Sequence, residues 1–454
     1  MAQFDLIIRD GTVVRDTEEM LDIGIKDGCI AELRAGLDGS ATETLNAQGR
    51  HIFPGVIDSH VHFNEPGRTE WEGFETGSRA FAAGGGTLFF DMPLNAHPPT
   101  LDGASFDLKL GAAQKSSLVD FGLWGGLVPG NLGSMQELAE RGVVGFKAFM
   151  SNSGIEDFPR ADDRTLRRGM EKAAALNKLV AVHAESEETT SKLAQEAVAA
   201  GRTTVRDYLN SRPLEAELVA IQKALSMAGE TKCRLHIVHV SCGEGIALIA
   251  SAQKLGVDVS CETCPHYLLL TEDDMEKIGA LAKCAPPLRP KNAQDSLWEC
   301  VKAGEIDTLG SDHSPSPPEM KEAVLSSRPN FFKVWGGISG VQHTLPLLTT
   351  EAPSRGLELS RVSKLLSTNV AERFRLPRNK GRIEIGAHAD FAIVDVKQTF
   401  DVRLDHLLYH HKHTPYAGRR LTGKVRQTIL RGKSVFKDGR VVSEPRGQLV
   451  KPID

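Results

Sequence analysis

Residues 53–62 read Phe53-Pro-Gly-Val-Ile-Asp-Ser-His-Val-His62, a short apolar run that ends in two histidines. The run predicts a strand over residues 53–59, with His60 and His62 at its end. Alternate residues of a strand face the same way, so both imidazoles point to one side, as two ligands of one metal ion must. Seven further apolar runs have the same form, at residues 87–92, 120–126, 143–149, 179–184, 234–240, 257–262 and 307–312. Helical patterns at 164–176, 214–228 and 243–254 lie between them. Such crossovers are long enough for parallel pairing. Eight strand–helix units imply a closed (β/α)8 barrel, a TIM-like α/β fold, more readily than an open sheet.

Both ends of the chain have a different rhythm. Short strands are expected at 4–8, 11–14, 22–26 and 29–33, punctuated by Asp10-Gly11 and Asp27-Gly28. The far end repeats this texture at 389–396, 428–430 and 433–436, with turns at Arg431-Gly432 and Asp438-Gly439. One small β-sandwich domain is therefore expected from residues 1–52 plus 385–454, with the barrel spanning 53–384. Apolar residues make up 41% and charged residues 25% of the 454, enough for a sizeable core, and the net charge is −5. No block of five like charges occurs, which argues against nucleic acid and anionic membrane as partners. Asp5, Arg9 and Asp10 interrupt the stretch where a secretory signal would be apolar. No run reaches the ~18 apolar residues of a membrane span. Seven cysteines, an odd number, do not read as a disulfide framework. A cytoplasmic location is expected.

Further donors stand at the ends of later strands: Lys147, His183, His239 and Asp312. In a parallel barrel those ends converge on one mouth, where barrel active sites lie. A lone strand-end histidine is usually a core residue bonded to carbonyls, whereas three histidine-bearing strands and an aspartate at equivalent heights specify a metal centre. Lys147 is the odd member, since an ammonium at a cation site is repulsive. It reads either as a surface or salt-bridge lysine, or as an amine that adds CO2 to become an anionic carbamate able to bridge two metals. Charge balance favours the carbamate, because an ammonium adds to an already positive site and a carbamate subtracts from it. His236, three residues from His239, falls on the opposite strand face and is expected to pack or support. His313 beside Asp312 should also turn away. Cys261 and Cys264 form a CxxC without a second pair, which reads as buried thiols.

With His60-Val-His62, Gly145-Phe-Lys-Ala-Phe149 and Ser311-Asp-His-Ser-Pro315, the sequence resembles the cyclic-amidase branch of the amidohydrolase superfamily. Within that branch Glu65-Pro-Gly-Arg-Thr-Glu-Trp-Glu-Gly73, Met92-Pro-Leu-Asn95, Cys261-Glu-Thr-Cys-Pro-His-Tyr267 and Trp335-Gly-Gly-Ile338 are most similar to the allantoinases. The likeness runs nearly end to end. It implies hydrolytic opening of a cyclic ureide, with His60, His62 and Asp312 on one divalent ion, His183 and His239 on a second, and carbamylated Lys147 joining them. Asp312 would carry the proton to the leaving nitrogen. Zinc is the expected ion, with cobalt, iron, manganese and nickel suited to the same donors. The resemblance also implies a homotetramer. Arg68, Asn95 and the Gly336-Gly337 backbone are expected substrate contacts, the glycines reading equally well as a tight turn.

Dihydroorotases usually carry an arginine two residues after the second histidine, to grip a carboxylate. Here that place is Asn64, which suits a neutral substrate such as allantoin. Hydantoinases and dihydropyrimidinases usually follow the lysine with a tyrosine for the oxyanion. Here the run is Phe149-Met-Ser-Asn-Ser153, so no such donor is identified. A broad hydantoinase-like cyclic amidase is the second reading, and a non-catalytic structural relative, which would typically have lost ligands, the third.

Overall fold

A computed structural model describes residues 2–324 and 330–453. Eight parallel strands line up in sequence order: Val56–Val61, Gly86–Asp91, Asp120–Leu123 (resumed as Gly125–Gly126), Phe146–Phe149, Leu179–His183, Arg234–Ile237, Val259–Thr263 and Thr308–Leu309. The ring closes where Val61 bridges His313 and the His62 amide donates to the His313 carbonyl at 2.8 Å. Helices Asp163–Ala175, Leu214–Thr231 and Gly243–Lys254 occupy the three expected windows. The first of them starts where the Asp162 carboxylate accepts from the Thr165 amide at 2.8 Å, satisfying a donor the helix cannot. Among the described residues, no helix is long and apolar enough to cross a membrane.

The first strand departs from its expected bounds. Residues His51–Pro54 pair antiparallel with Phe391–Asp401 in a separate nine-stranded sheet, and only Val56–Val61 enters the barrel. Gly55 makes the switch, at a point where a Cβ would lie 2.2 Å from Thr87 Oγ1. That sheet draws its strands from both ends of the chain and buries Ile8, Val13, Ile23, Ile25, Phe391 and Ile429 as one cluster. Its first strand, Phe4–Val14, is continuous where two strands and a turn were expected. Asp10 takes a left-handed φ of 58° and the register against Glu18–Lys26 slips between Ile8 and Gly11, so the Asp-Gly pair makes a bulge and not a hairpin. Strand Ala41–Asn46, parallel to Phe4–Val14, carried no clear signal because it is mostly polar and exposed.

Sheet and barrel are joined by buried charge. Lys380 Nζ lies 2.7 Å from both Asp120 at the start of the third barrel strand and Asp390 beside Phe391–Asp401, and Arg431 also pairs with Asp120. Removing one member of such a group strands an uncompensated buried charge. Lys380→Met should therefore lower the stability read from the denaturant midpoint by about 3–5 kcal/mol. An unchanged midpoint would show that the cluster does not couple the two parts.

Candidate functional site

The strand ends meet in a cavity of about 570 Å3, a size suited to a small ligand, and His60, His62, Lys147, His183, His239 and Asp312 all line it. His239 and Asp312 sit just past their strands with left-handed φ values of 41° and 45°. Non-glycine residues adopt that conformation at a cost, and it concentrates where side chains must be aimed. The ligand atoms of His60, His62 and Asp312 all lie within 4.8 Å of one another.

Two buried carboxylates set how the imidazoles face. His60 Nδ1 is 2.8 Å from Glu262 Oε1, and His183 Nε2 is 2.7 Å from Glu185 Oε2. A carboxylate only accepts, so each of these ring nitrogens carries the hydrogen and the other ring nitrogen presents a lone pair. The His60 lone pair meets Asp312 Oδ1 at 3.2 Å, with His62 Nε2 3.5 Å from the same oxygen. The His183 lone pair at Nδ1 faces His239 Nε2 at 3.1 Å. His60 Nε2 and Asp312 Oδ1 are acceptors at close range, a contact that a cation between them relieves, and the donor set of histidine nitrogens and a carboxylate oxygen fits a divalent metal.

Electrostatics agree with that assignment. Burial holds His60, His183 and His239 below the ordinary imidazole range, which keeps them neutral. Burial pushes the Asp312 carboxyl upward, while a hydrogen bond from His62 helps bring it below its usual range. Burial also pushes Glu185 upward, yet Arg212 and His183 bring it down to about 2. Lys147 is fully buried, its Nζ has no hydrogen-bond partner among the described residues, and it lies 5.0 Å over the Phe149 ring. Burial lowers its pKa to about 8, against the pull of Asp312 and Glu262.

Glu262 and Glu185 were missed in the sequence, although both were legible. Glu185 stands two residues after His183, on the same face, and Glu262 lies inside the quoted Cys261-Glu-Thr-Cys stretch. His236 hydrogen-bonds Ser260 Oγ at 2.6 Å, and His313 Nδ1 accepts from the Gly340 amide at 3.1 Å, so both support the site from outside. Cys261 and Cys264 are buried free thiols.

The expected substrate contacts divide. Asn95, Gly336 and Gly337 line the cavity, whereas Arg68 does not. The Arg68 guanidinium instead donates to the Asn95 carbonyl at 2.9 Å and lies 5.5 Å over Trp71, so it fixes Asn95 from behind. Among the described residues, both peptide groups of Gly337 are taken, by the Lys283 carbonyl and by Lys321, while those of Gly336 have no protein partner. Asn64 is buried, and its amide donates to the Pro315 carbonyl at 3.3 Å.

Residues 51–435 match the amidohydrolase family. The chain belongs to that family. This amidohydrolase is 56% identical over 453 residues to the allantoinase of Rubrobacter xylanophilus, covering 100% of this chain and 98% of that protein. It is 43% identical to the allantoinase of Escherichia coli O1:K1 / APEC, with 98% of each chain covered. Among solved structures, the L-hydantoinase (dihydropyrimidinase) from Arthrobacter aurescens superposes with a TM-score of 0.96 at 36% identity, covering 99% of this chain and 100% of that one. The barrel with its small β-sandwich is the architecture of this group.

Glu262→Gln removes the charge that turns His60 while keeping the side chain's shape. Metal affinity, measured as ion retained after dialysis against a chelator, should fall about 10–100-fold. Wild-type retention would mean that Glu262 does not orient a ligand.

Proposed function

We propose that this amidohydrolase opens allantoin to allantoate by hydrolysis of a ring amide, in ureide catabolism that releases nitrogen for assimilation. The observation that carries the reading is the inward-facing set of His60, His62, His183, His239 and Asp312 around the unpartnered Lys147. His60, His62 and Asp312 would hold one divalent ion and His183 and His239 a second, with Lys147 as the carbamate between them. Zinc is the proposed ion, and cobalt, iron, manganese or nickel would suit the same donors. Ions bound there would lower the pKa of a water and polarise the amide carbonyl. Asp312, with 14% of its side chain exposed, reaches both the ligand histidines and the cavity. It accepts the proton of the attacking water as the carbon–oxygen bond forms, then delivers it to the ring nitrogen as the carbon–nitrogen bond breaks. Arg68 holds Asn95 in the wall, and Gly336 offers one N–H and one C=O to a ring amide. The enzyme is proposed to act in the cytoplasm as a homotetramer.

Substrate charge separates this reading from dihydroorotate hydrolysis. Arg212 is already paired with buried Glu185, and Asn64 provides no cation. Allantoin should therefore be opened well ahead of dihydroorotate, whose carboxylate finds no arginine at residue 64 to grip it. Equal kcat/KM on the two compounds would contradict the assignment, and hydantoin outpacing allantoin would favour the broader hydantoinase reading.

Asp312→Asn keeps an oxygen ligand but loses the proton acceptor. Turnover should drop at least ~10²-fold with most of the metal retained. Lys147→Ala should lose metal and activity together, and acetate should restore part of both by filling the carbamate's place. Lys147→Arg should not respond, because its cation is permanent. Normal metal content and turnover in Lys147→Ala without added anion would remove the bridge.

A further inference from the structure

Lys283, in the cavity wall, and Lys321, next in sequence to the lining residue Met320, are buried lysines with no carboxylate partner among the described residues. Lys283 and Lys321 are 4% and 6% exposed. Lys283 Nζ donates to the carbonyl oxygens of Phe331 at 2.7 Å, Phe332 at 3.3 Å and Val334 at 2.6 Å. Lys321 Nζ donates to those of Trp335 and Gly337, both at 2.8 Å. An ammonium has three N–H donors and no acceptor, so the three carbonyls on Lys283 saturate it. Burial pushes both amines well below the ordinary lysine range, Lys321 to about 7, and the carbonyl dipoles support a charge there only while they stay aimed at the nitrogen. The arrangement therefore fixes the segment as firmly as it holds the lysines.

That segment is part of the cavity wall. Phe332 through Gly337 line the cavity, and Ile338 bridges His313, the residue after Asp312. The backbone is tied twice more, by Trp335 N–H to the Met320 carbonyl at 3.0 Å and by Gly337 N–H to the Lys283 carbonyl at 2.7 Å. Gly337 has a φ of 149° and runs so near the Ser314 carbonyl that a Cβ would sit 2.2 Å from its oxygen. Between Phe331 and Gly337, the lysines and the Val334 N–H leave only the carbonyls of Lys333 and Gly336 without a protein donor among the described residues.

We infer that Lys283 and Lys321 are positioning residues for substrate: by claiming the neighbouring carbonyls they fix which peptide group the wall presents, and leave Gly336 as the unit offered to a ring amide. The inference rests on the cyclic-ureide reading. Without the amines, the freed carbonyls would turn to water or to the cavity, adding acceptors where a ring carbonyl needs a donor. Substrate binding would suffer more than the chemical step, because neither lysine touches the reacting bond.

The test uses Lys283→Met and Lys321→Met in the metal-loaded full chain, with two readouts. The first is backbone hydrogen exchange over residues 330–338 without substrate. The second is KM against kcat for allantoin. Exchange in that segment should quicken about 10-fold while the strand Leu179–His183 keeps its protection. KM should rise about 10-fold with kcat and metal content changed much less. Lys321→Met decides the matter alone where Lys283→Met does not fold. Wild-type exchange, wild-type KM, or a loss confined to kcat would overturn the positioning role. Failure of the unaltered protein to open allantoin would instead strike the substrate reading, and the exchange data would still report on the clamp.

Discussion

At the barrel mouth, carboxylates behind the rings turn the lone pairs of His60 and His183 toward a carboxylate oxygen and toward a second imidazole. His60 Nε2 stands 3.2 Å and His62 Nε2 3.5 Å from one oxygen of Asp312, and His183 Nδ1 faces His239 Nε2 at 3.1 Å. His60 Nε2 and Asp312 Oδ1 repel at that distance, and a multiply charged cation between them relieves the repulsion. Much of the surrounding structure maintains that arrangement, and the chemistry proposed for the site follows from it.

Maintaining it takes several layers of buried charge. Glu262 turns His60 and lies near His236, while Ser59 donates to its second oxygen. Glu185 turns His183 and is itself neutralised by Arg212. The Arg212 carbonyl accepts from Arg289 at 2.6 Å, and Arg289 pairs with Glu217 at 2.8 Å. Buried ion pairs are poor sources of stability compared with apolar packing of the same volume. Their concentration behind the cavity is better understood as fixing the direction of ring nitrogens than as holding the fold. The left-handed backbone at His239 and Asp312 belongs to the same pattern, local strain accepted where a side chain must be aimed.

The site was legible where function is written in side chains at a fixed period. His60 and His62 are two residues apart, and Lys147, His183, His239 and Asp312 each follow an apolar run, so alternation and the geometry of a parallel barrel brought them together. Glu185 carried the same two-residue signal from His183 and was overlooked. What stayed hidden depends on contacts between distant backbones. Arg68 stood among the expected substrate contacts, but its partner is a main-chain carbonyl that no sequence displays. The grip of Lys283 and Lys321 on carbonyls is equally invisible in residue types. In the small sheet, Asp10-Gly11 has the composition of a hairpin turn. Only the pairing of Phe4–Val14 with strands on both sides makes it a bulge. The switch at Gly55 hides in an unbroken apolar run, because both of its destinations are buried.

The central claim is that ring opening depends on a cation among these acceptors, and metal dependence of turnover tests it most directly. Protein stripped by a chelator should leave allantoin intact. Activity should return on adding a single kind of divalent ion with bicarbonate, rising with ion bound until about two per chain are held, the number the His, Asp and carbamate donors can share. Full turnover by protein shown to hold no metal would contradict the account.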